Sequence, residues 1–343
     1  MKGWVKSENG ILTLIDLPEE QDSTLKDGVF SVKMLKSLIT TDDLLELKDD
    51  FNRDNYVLGT AGIGIVTTDA DENSVFSLKK GDKVYVKPFK ACGECIYCKS
   101  NVKNKCADLK VAGEDYDGFL KEFVDCTENE VVLLPESITD NDALFIQTIS
   151  LALNIIDRLN VQKGEHVVIL GANNLGIITA QLLKYYQSIP IIIDNSPERI
   201  SLAKECGIYY ALCKDKDWVS EVNEITSGRM ASQTVYLQSS GISIKYAFML
   251  SAVGATIAIA QSSPKATLLS LYPATKKELN FVFINTGYGN TSTAINIIVN
   301  KAIDLSKLAL KTINFNDCGE LINSLAEKFN ENDFISDIAV DMI

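Results

Sequence analysis

Two rhythms of apolar and polar residues divide this chain. In the first third, short β-like runs predominate: Gly10–Asp16, Gly28–Leu35, Gly62–Thr68, Lys83–Lys87 and Phe119–Val124, separated by turn residues such as Gly81-Asp82 and Asp117-Gly118. Pro135 and the Asp140-Asn141-Asp142 cluster close this region, and Asp140 or Asn141 is placed to cap a helix through Ala143–Ile156. From His166 the pattern changes. The apolar run His166–Leu170 leads into Gly171-Ala-Asn173-Asn174-Leu175-Gly176, after which apolar residues recur at Leu175, Ile178, Leu182 and Leu183, a helical spacing. A second run, Ile189–Ile193, ends at Asp194, and Pro197 opens a helix towards Cys206-Gly207. Further runs at Tyr209–Leu212, Thr234–Leu237, Ala255–Ala260 and Leu279–Ile284 alternate with helical segments, which implies a parallel sheet covered on both faces. The last forty residues predict a helix, Cys318–Phe329, and a strand, Asp337–Met342, that return to the first region.

Length and charge narrow the field. A chain of 343 residues with 46% hydrophobic positions suggests two folded domains. A net charge of −13 without basic clusters argues against nucleic acid and anionic membrane surfaces as partners. The N-terminus lacks an apolar signal core, and no apolar run approaches the roughly 18 residues of a membrane helix. Cys126, Cys206, Cys213 and Cys318 follow no pairing pattern, so a reduced, cytoplasmic setting is expected.

The other four cysteines are the most specific signal. Cys92, Cys95, Cys98 and Cys106 fall within fifteen residues, at a spacing that reads as a closed tetrahedral zinc site with no open coordination position. Lys90, Lys99, Lys103 and Lys105 surround it and are expected to offset the charge of a four-thiolate zinc.

Gly171-Ala-Asn173-Asn174-Leu175-Gly176 is a dinucleotide fingerprint in the right context, between a strand and a helix, although Asn173 stands at its middle glycine. Asn tolerates positive φ better than other non-glycine residues, so NAD(H) binding is expected to survive, weakened. The helix start at Asn174 would face a pyrophosphate. Asp194, at the end of the next strand, would accept hydrogen bonds from a ribose diol and repel a 2′-phosphate, which favours NAD(H) over NADP(H); Arg199 softens that preference.

Taken with Gly59-Thr60-Ala61-Gly62-Ile63-Gly64, Gly81-Asp82-Lys83-Val84, Asp117-Gly118-Phe119 and Leu134-Pro135, these motifs resemble the medium-chain dehydrogenase/reductase family, in its zinc-containing alcohol, sorbitol and threonine dehydrogenase branch. The resemblance implies an α/β protein. A β-rich GroES-like catalytic domain is formed by both chain ends, 1–150 and 300–343, with a structural zinc lobe at 90–108. A Rossmann doubly wound parallel-sheet domain, 151–299, is inserted. It also implies a homodimer or homotetramer, with Leu279–Asn285 as a candidate pairing strand, and a small-molecule substrate.

The same branch holds a second, catalytic zinc. The positions that correspond to its ligands are Thr40, Thr60 and Gln147, and the chain has a single histidine, His166, on the first Rossmann strand. Threonine and glutamine are poor zinc ligands, so the catalytic zinc is expected to be absent. An oxygen-ligand metal at Asp42 and Asp43 is the weaker reading, because adjacent acids at a helix start more often cap a solvated turn. Asp42 is then the candidate acid, Thr40 and Thr60 the candidate oxyanion donors, and Leu45 interrupts the family's proton relay. The expected function is NAD(H)-dependent hydride transfer to or from a small activated substrate without catalytic zinc. The alternative is an inactive relative with a binding or assembly role.

Overall fold

The computed structural model describes residues 1–7, 10–18, 28–47, 55–68, 78–214, 217–237, 240–260, 269–328 and 335–342. The chain forms two compact units. The first takes Met1–Gln147, Leu310–Phe329 and Ser336–Ile343, and the second takes Thr148–Ala309.

A seven-stranded sheet builds the first unit, in the order Val131–Leu133, Lys83–Val86, Ala61–Val66, Val29–Ile39, Asp337–Asp341, Leu310–Asn314, with Phe123–Thr127 also pairing Val29–Ile39. Both chain ends belong here for identifiable reasons. Asp337–Asp341 runs antiparallel to Val29–Ile39. The Trp4 indole donates to Phe315 O (2.8 Å), and its ring fills the space beside Gly319. Asn323 clasps Leu12 through both its backbone groups, Oδ1 accepting from N (2.8 Å) and Nδ2 donating to O (2.9 Å).

Three local expectations shift. The strand expected at Phe119–Val124 begins at Phe123, because the Phe119 and Leu120 amides donate to Gly59 O and Leu58 O instead of to a ladder. The strand from Val29 reaches Ile39 rather than Leu35, carried by a register shift between Met34 and Lys36 that re-aims its side chains. Thr139, not Asp140 or Asn141, caps the helix that follows: its hydroxyl accepts from Asp142 N and donates to the Asp142 carboxylate. That helix is also two pieces, Asp140–Leu144 and Ile146–Leu159.

The second unit holds six parallel strands ordered Tyr210–Leu212, Ile189–Ile193, His166–Leu170, Ala231–Leu237, Ser251–Ala260, Asn280–Ile284. In sequence terms this is 3-2-1-4-5-6, the doubly wound dinucleotide-binding order, whose direction reverses between His166–Leu170 and Ala231–Leu237. Val168, Ile169, Ile191, Ile192 and Ile193 are wholly buried, as strands covered on both faces require. The unit continues past the expected limit at 299. Asn174 exchanges two hydrogen bonds with the backbone of Ala309, and Gln181 two with that of Asp304, so 300–309 stays with the Rossmann helix and the chain changes unit at Leu310.

Candidate functional site

The cysteine lobe hangs between two short antiparallel strands, Phe89–Lys90 and Lys110–Val111. Its four sulfurs lie within 4.8 Å of one another, and those of Cys92 and Cys98 are 3.9 Å apart. A tetrahedron with Zn–S bonds of about 2.3 Å needs sulfurs about 3.8 Å apart, so the donor set fits zinc. Backbone amides already point at the sulfurs: Cys92 N at Cys106 Sγ, Cys95 N at Cys92 Sγ and Cys98 N at Cys95 Sγ, at 3.4–3.5 Å. The Cys98 amide leads the forces that pull the Cys95 thiol down to about 6, while burial pushes Cys98 up to about 12. Four crowded thiols cannot all ionise without a cation among them, and a bound zinc removes that conflict. Of the nearby lysines, Lys90 is committed elsewhere. It pairs with Glu130 (3.0 Å) and sits 4.7 Å from the Tyr116 ring centre.

At the dinucleotide turn, Gly171 has φ +118°, which only glycine adopts without strain, and a Cβ on Gly176 would collide with Gly171 O. Gly176→Ala should therefore cost about 1–3 kcal/mol of stability, the usual price of overpacking, read from the denaturant midpoint. Asn173 does not take positive φ. It is extended (φ −72°, ψ −179°) and caps the helix, its Oδ1 accepting from Gly176 N at 3.0 Å. Asn is tolerated at the middle position as an N-cap, not for its left-handed freedom. Asn174 spends its side chain on Ala309, and Leu175 is buried beside it.

Asp194 stands at the end of its strand, as the fingerprint requires, but is fully buried. Oδ2 accepts from Ala172 N (2.7 Å) and Oδ1 from Ser196 N (2.8 Å), so the carboxylate ties the glycine turn to the next strand. Arg199 lies under it, 2% exposed, with Nη1 3.6 Å from Oδ2. This arginine is an internal counter-ion, not a surface group waiting for phosphate. His166 is half-buried, and burial with the nearby Arg229 charge holds it below its usual range. Gln147 is half-buried near the start of helix Ile146–Leu159.

In the first unit the expected acid, Asp42, has a buried neighbour, Asp43. Asp42 is partly exposed on helix Thr41–Leu47. Asp43, beside it, is 2% exposed, and its Oδ2 accepts from both Thr40 N and Thr40 Oγ1 at 2.7 Å. Burial pushes the Asp43 carboxyl up, against the downward pull of Thr40 and the Gly59 amide. Thr40 is thus occupied by Asp43. Thr60 is half-buried and borders Gly113, whose Cβ position lies 3.5 Å from Thr60 Cγ2 and 3.4 Å from Gly59 N. The next residue, Glu114, is pushed up to about 7 by surrounding protein and by the charges of Asp115, Asp43 and Asp42. Nothing in the sequence singled out Glu114, because 71 positions separate it from Asp43.

A β-rich unit made from both chain ends, with a doubly wound parallel unit inserted, defines the medium-chain dehydrogenase/reductase class. Residues 26–136 match the alcohol dehydrogenase GroES-like domain. The chain is 30% identical over 251 residues, 73% of each protein, to a zinc-type alcohol dehydrogenase-like protein of Haemophilus influenzae. It is 28% identical over 209 residues to sorbitol dehydrogenase of Bacillus subtilis, covering 58% of this chain and 59% of that one. Among solved structures, an Escherichia coli alcohol dehydrogenase complexed with NADH superposes with a TM-score of 0.84 at 23% identity, covering 100% of this chain and 99% of that one. An NAD-dependent alcohol dehydrogenase gives 0.85 at 21%, with both chains covered in full. The protein belongs to the zinc-type alcohol dehydrogenase-like branch of the medium-chain dehydrogenase/reductase family.

Proposed function

We propose that the protein is an NAD(H)-dependent oxidoreductase that holds zinc in its cysteine lobe and moves hydride to or from a small, activated substrate without a catalytic metal. The observation that carries this reading is the donor set at the family's ligand positions. Thr40, Thr60 and Gln147 are neutral oxygen donors, and Thr40 is already bonded to Asp43. Among the described residues, the four cysteines are the only group of three or more metal-type ligands close enough to share an ion.

Hydride transfer is the nicotinamide's own chemistry and asks the protein for positioning. A pyrophosphate would meet the first turn of helix Asn174–Tyr185, where backbone N–H groups and the helix dipole favour negative charge. With Arg199 turned inward against Asp194, the turn offers that arginine to no 2′-phosphate, which supports NAD(H) over NADP(H). Without zinc as Lewis acid, several kcal/mol of oxyanion stabilisation are missing, so the substrate must already be electron-poor. The exposed edge strand Asn280–Ile284, with Phe283 71% accessible, is the candidate surface for pairing two copies.

Metal analysis combined with NADH titration and a hydride-transfer panel tests the reading. One zinc per chain, saturable NADH binding and turnover of electron-poor substrates support it. Two zinc ions per chain would overturn it. NADH binding with no turnover on any substrate would favour the second reading, an inactive relative, to which the internal commitment of Asp194 and Asn173 also points.

A further inference from the structure

The cysteine lobe lacks a core of its own. From residue 91 to residue 109 only Cys98 and Cys106 are buried, while Ile96 is 74% exposed and Tyr97 and Val102 also face solvent. The segment has one four-residue helix, Ile96–Lys99, and one three-residue 3-10 turn, Lys103–Lys105. Its shape is therefore held by the sulfur cluster and the amides that point at it, not by apolar packing. A chemical change at the sulfurs is a change in the fold of the lobe.

The four sulfurs are not equivalent. Cys92 is exposed and Cys95 half-buried, whereas Cys98 and Cys106 are buried, so an incoming reagent meets Cys92 first. Cys92 Sγ stands 3.9 Å from Cys98 Sγ, within a cluster whose sulfurs all lie within 4.8 Å of one another. The chain between the two cysteines can adjust. Gly93, at φ +78°, has open space around its Cβ position. The other cysteines offer no such pair. Cys126, Cys206 and Cys318 are buried, and the half-buried Cys213 lies in the second unit.

We propose that Cys92 is a modification site through which a low-molecular-weight disulfide oxidises the lobe, joining Cys92 to Cys98 and ejecting the zinc. The inference rests on the reading that the lobe holds zinc. The Cys92 thiolate attacks one sulfur of the reagent, a mixed disulfide forms, and the first reagent thiolate leaves. The Cys98 thiolate then attacks the Cys92 sulfur, the protein disulfide forms, and the second reagent thiolate leaves. Two protein thiolates lose two electrons, and the reagent disulfide gains them. Only Cys95 and Cys106 remain as donors, too few for a closed four-ligand site. Zinc and oxidation compete for the same thiolates, so the lobe answers to the thiol–disulfide balance around it.

The test uses the full zinc-loaded chain and glutathione disulfide. Metal content is measured first. Zinc release is then followed with a chromophoric chelator while peptide mapping locates each linkage. Zinc should fall from one per chain to near zero as a Cys92–Cys98 disulfide appears, and dithiothreitol with added zinc should reverse both changes. A brief exposure should place the first glutathione on Cys92. Cys98→Ser removes the second thiol, so the mixed disulfide at Cys92 should persist; the brief exposure of the unaltered chain gives the same assignment without a substitution. Cys213→Ser should release zinc as the unaltered chain does. Zinc retention under conditions that glutathionylate Cys213 overturns the proposal. So does a first modification at Cys95 or Cys106, or a disulfide that leaves Cys92 unpaired. A chain that neither carries nor takes up zinc would remove the zinc reading, while mapping of that metal-free chain still decides whether Cys92 is the entry point and Cys98 its partner.

Discussion

Cys98→Ser should strip the lobe of its metal, lowering zinc from one per chain to near zero. Cys98 is, with Cys106, one of the two buried ligands, and its backbone amide points at Cys95 Sγ. Structural zinc sites in small modules are worth about 10–16 kcal/mol of apparent binding energy, and folding of the ligating segment is drawn from it. The segment between Lys90 and Lys110 carries only a four-residue helix and a three-residue 3-10 turn, with little apolar burial. Loss of zinc should therefore open this lobe while the seven-stranded sheet keeps its core. Metal analysis with limited proteolysis reads both effects, and the new cuts should fall between residues 91 and 109. Full zinc retention in the variant, or cleavage spread over the sheet, would show that the lobe is held otherwise.

Asp194→Ala should destabilise the Rossmann unit by about 3–5 kcal/mol, the range for breaking a buried ion pair from one side. The substitution leaves the Arg199 guanidinium, 3% exposed, without its carboxylate, and the Ala172 and Ser196 amides without their acceptor. Asp194→Asn keeps an acceptor oxygen but not the charge and should cost less. Adding Arg199→Met to Asp194→Ala should recover part of the loss, because the buried charge goes with its partner. The shift of the urea midpoint measures these differences. If Asp194→Ala alters NADH affinity and leaves the midpoint unchanged, the carboxylate acts on ligand alone and the internal tie is unimportant.

Much of the architecture can be read locally. The change from period-two runs to buried runs followed by helical spacing marks the two kinds of sheet, because burial on one face or on two leaves different patterns. The cysteine spacing and the glycine turn are likewise local, since ligands or backbone contacts only a few residues apart must be set by the intervening chain. What was not legible depends on partners distant in sequence. Phe119 and Leu120 look like strand residues until Leu58 and Gly59 take their amides. Asn173 looks like a glycine substitute until its side chain turns back to Gly176. Residues 300–309 look like a return to the first unit until Asn174 and Gln181 hold them.

By itself, the sequence determined the four-cysteine lobe and the doubly wound unit, because each is a property of residue identity and short spacing. Only the tertiary structure decided which acid is buried and which is solvated, and that Asp194 is held internally by Arg199. Burial and charge coupling depend on through-space distance, and a linear chain does not carry that distance until it has folded.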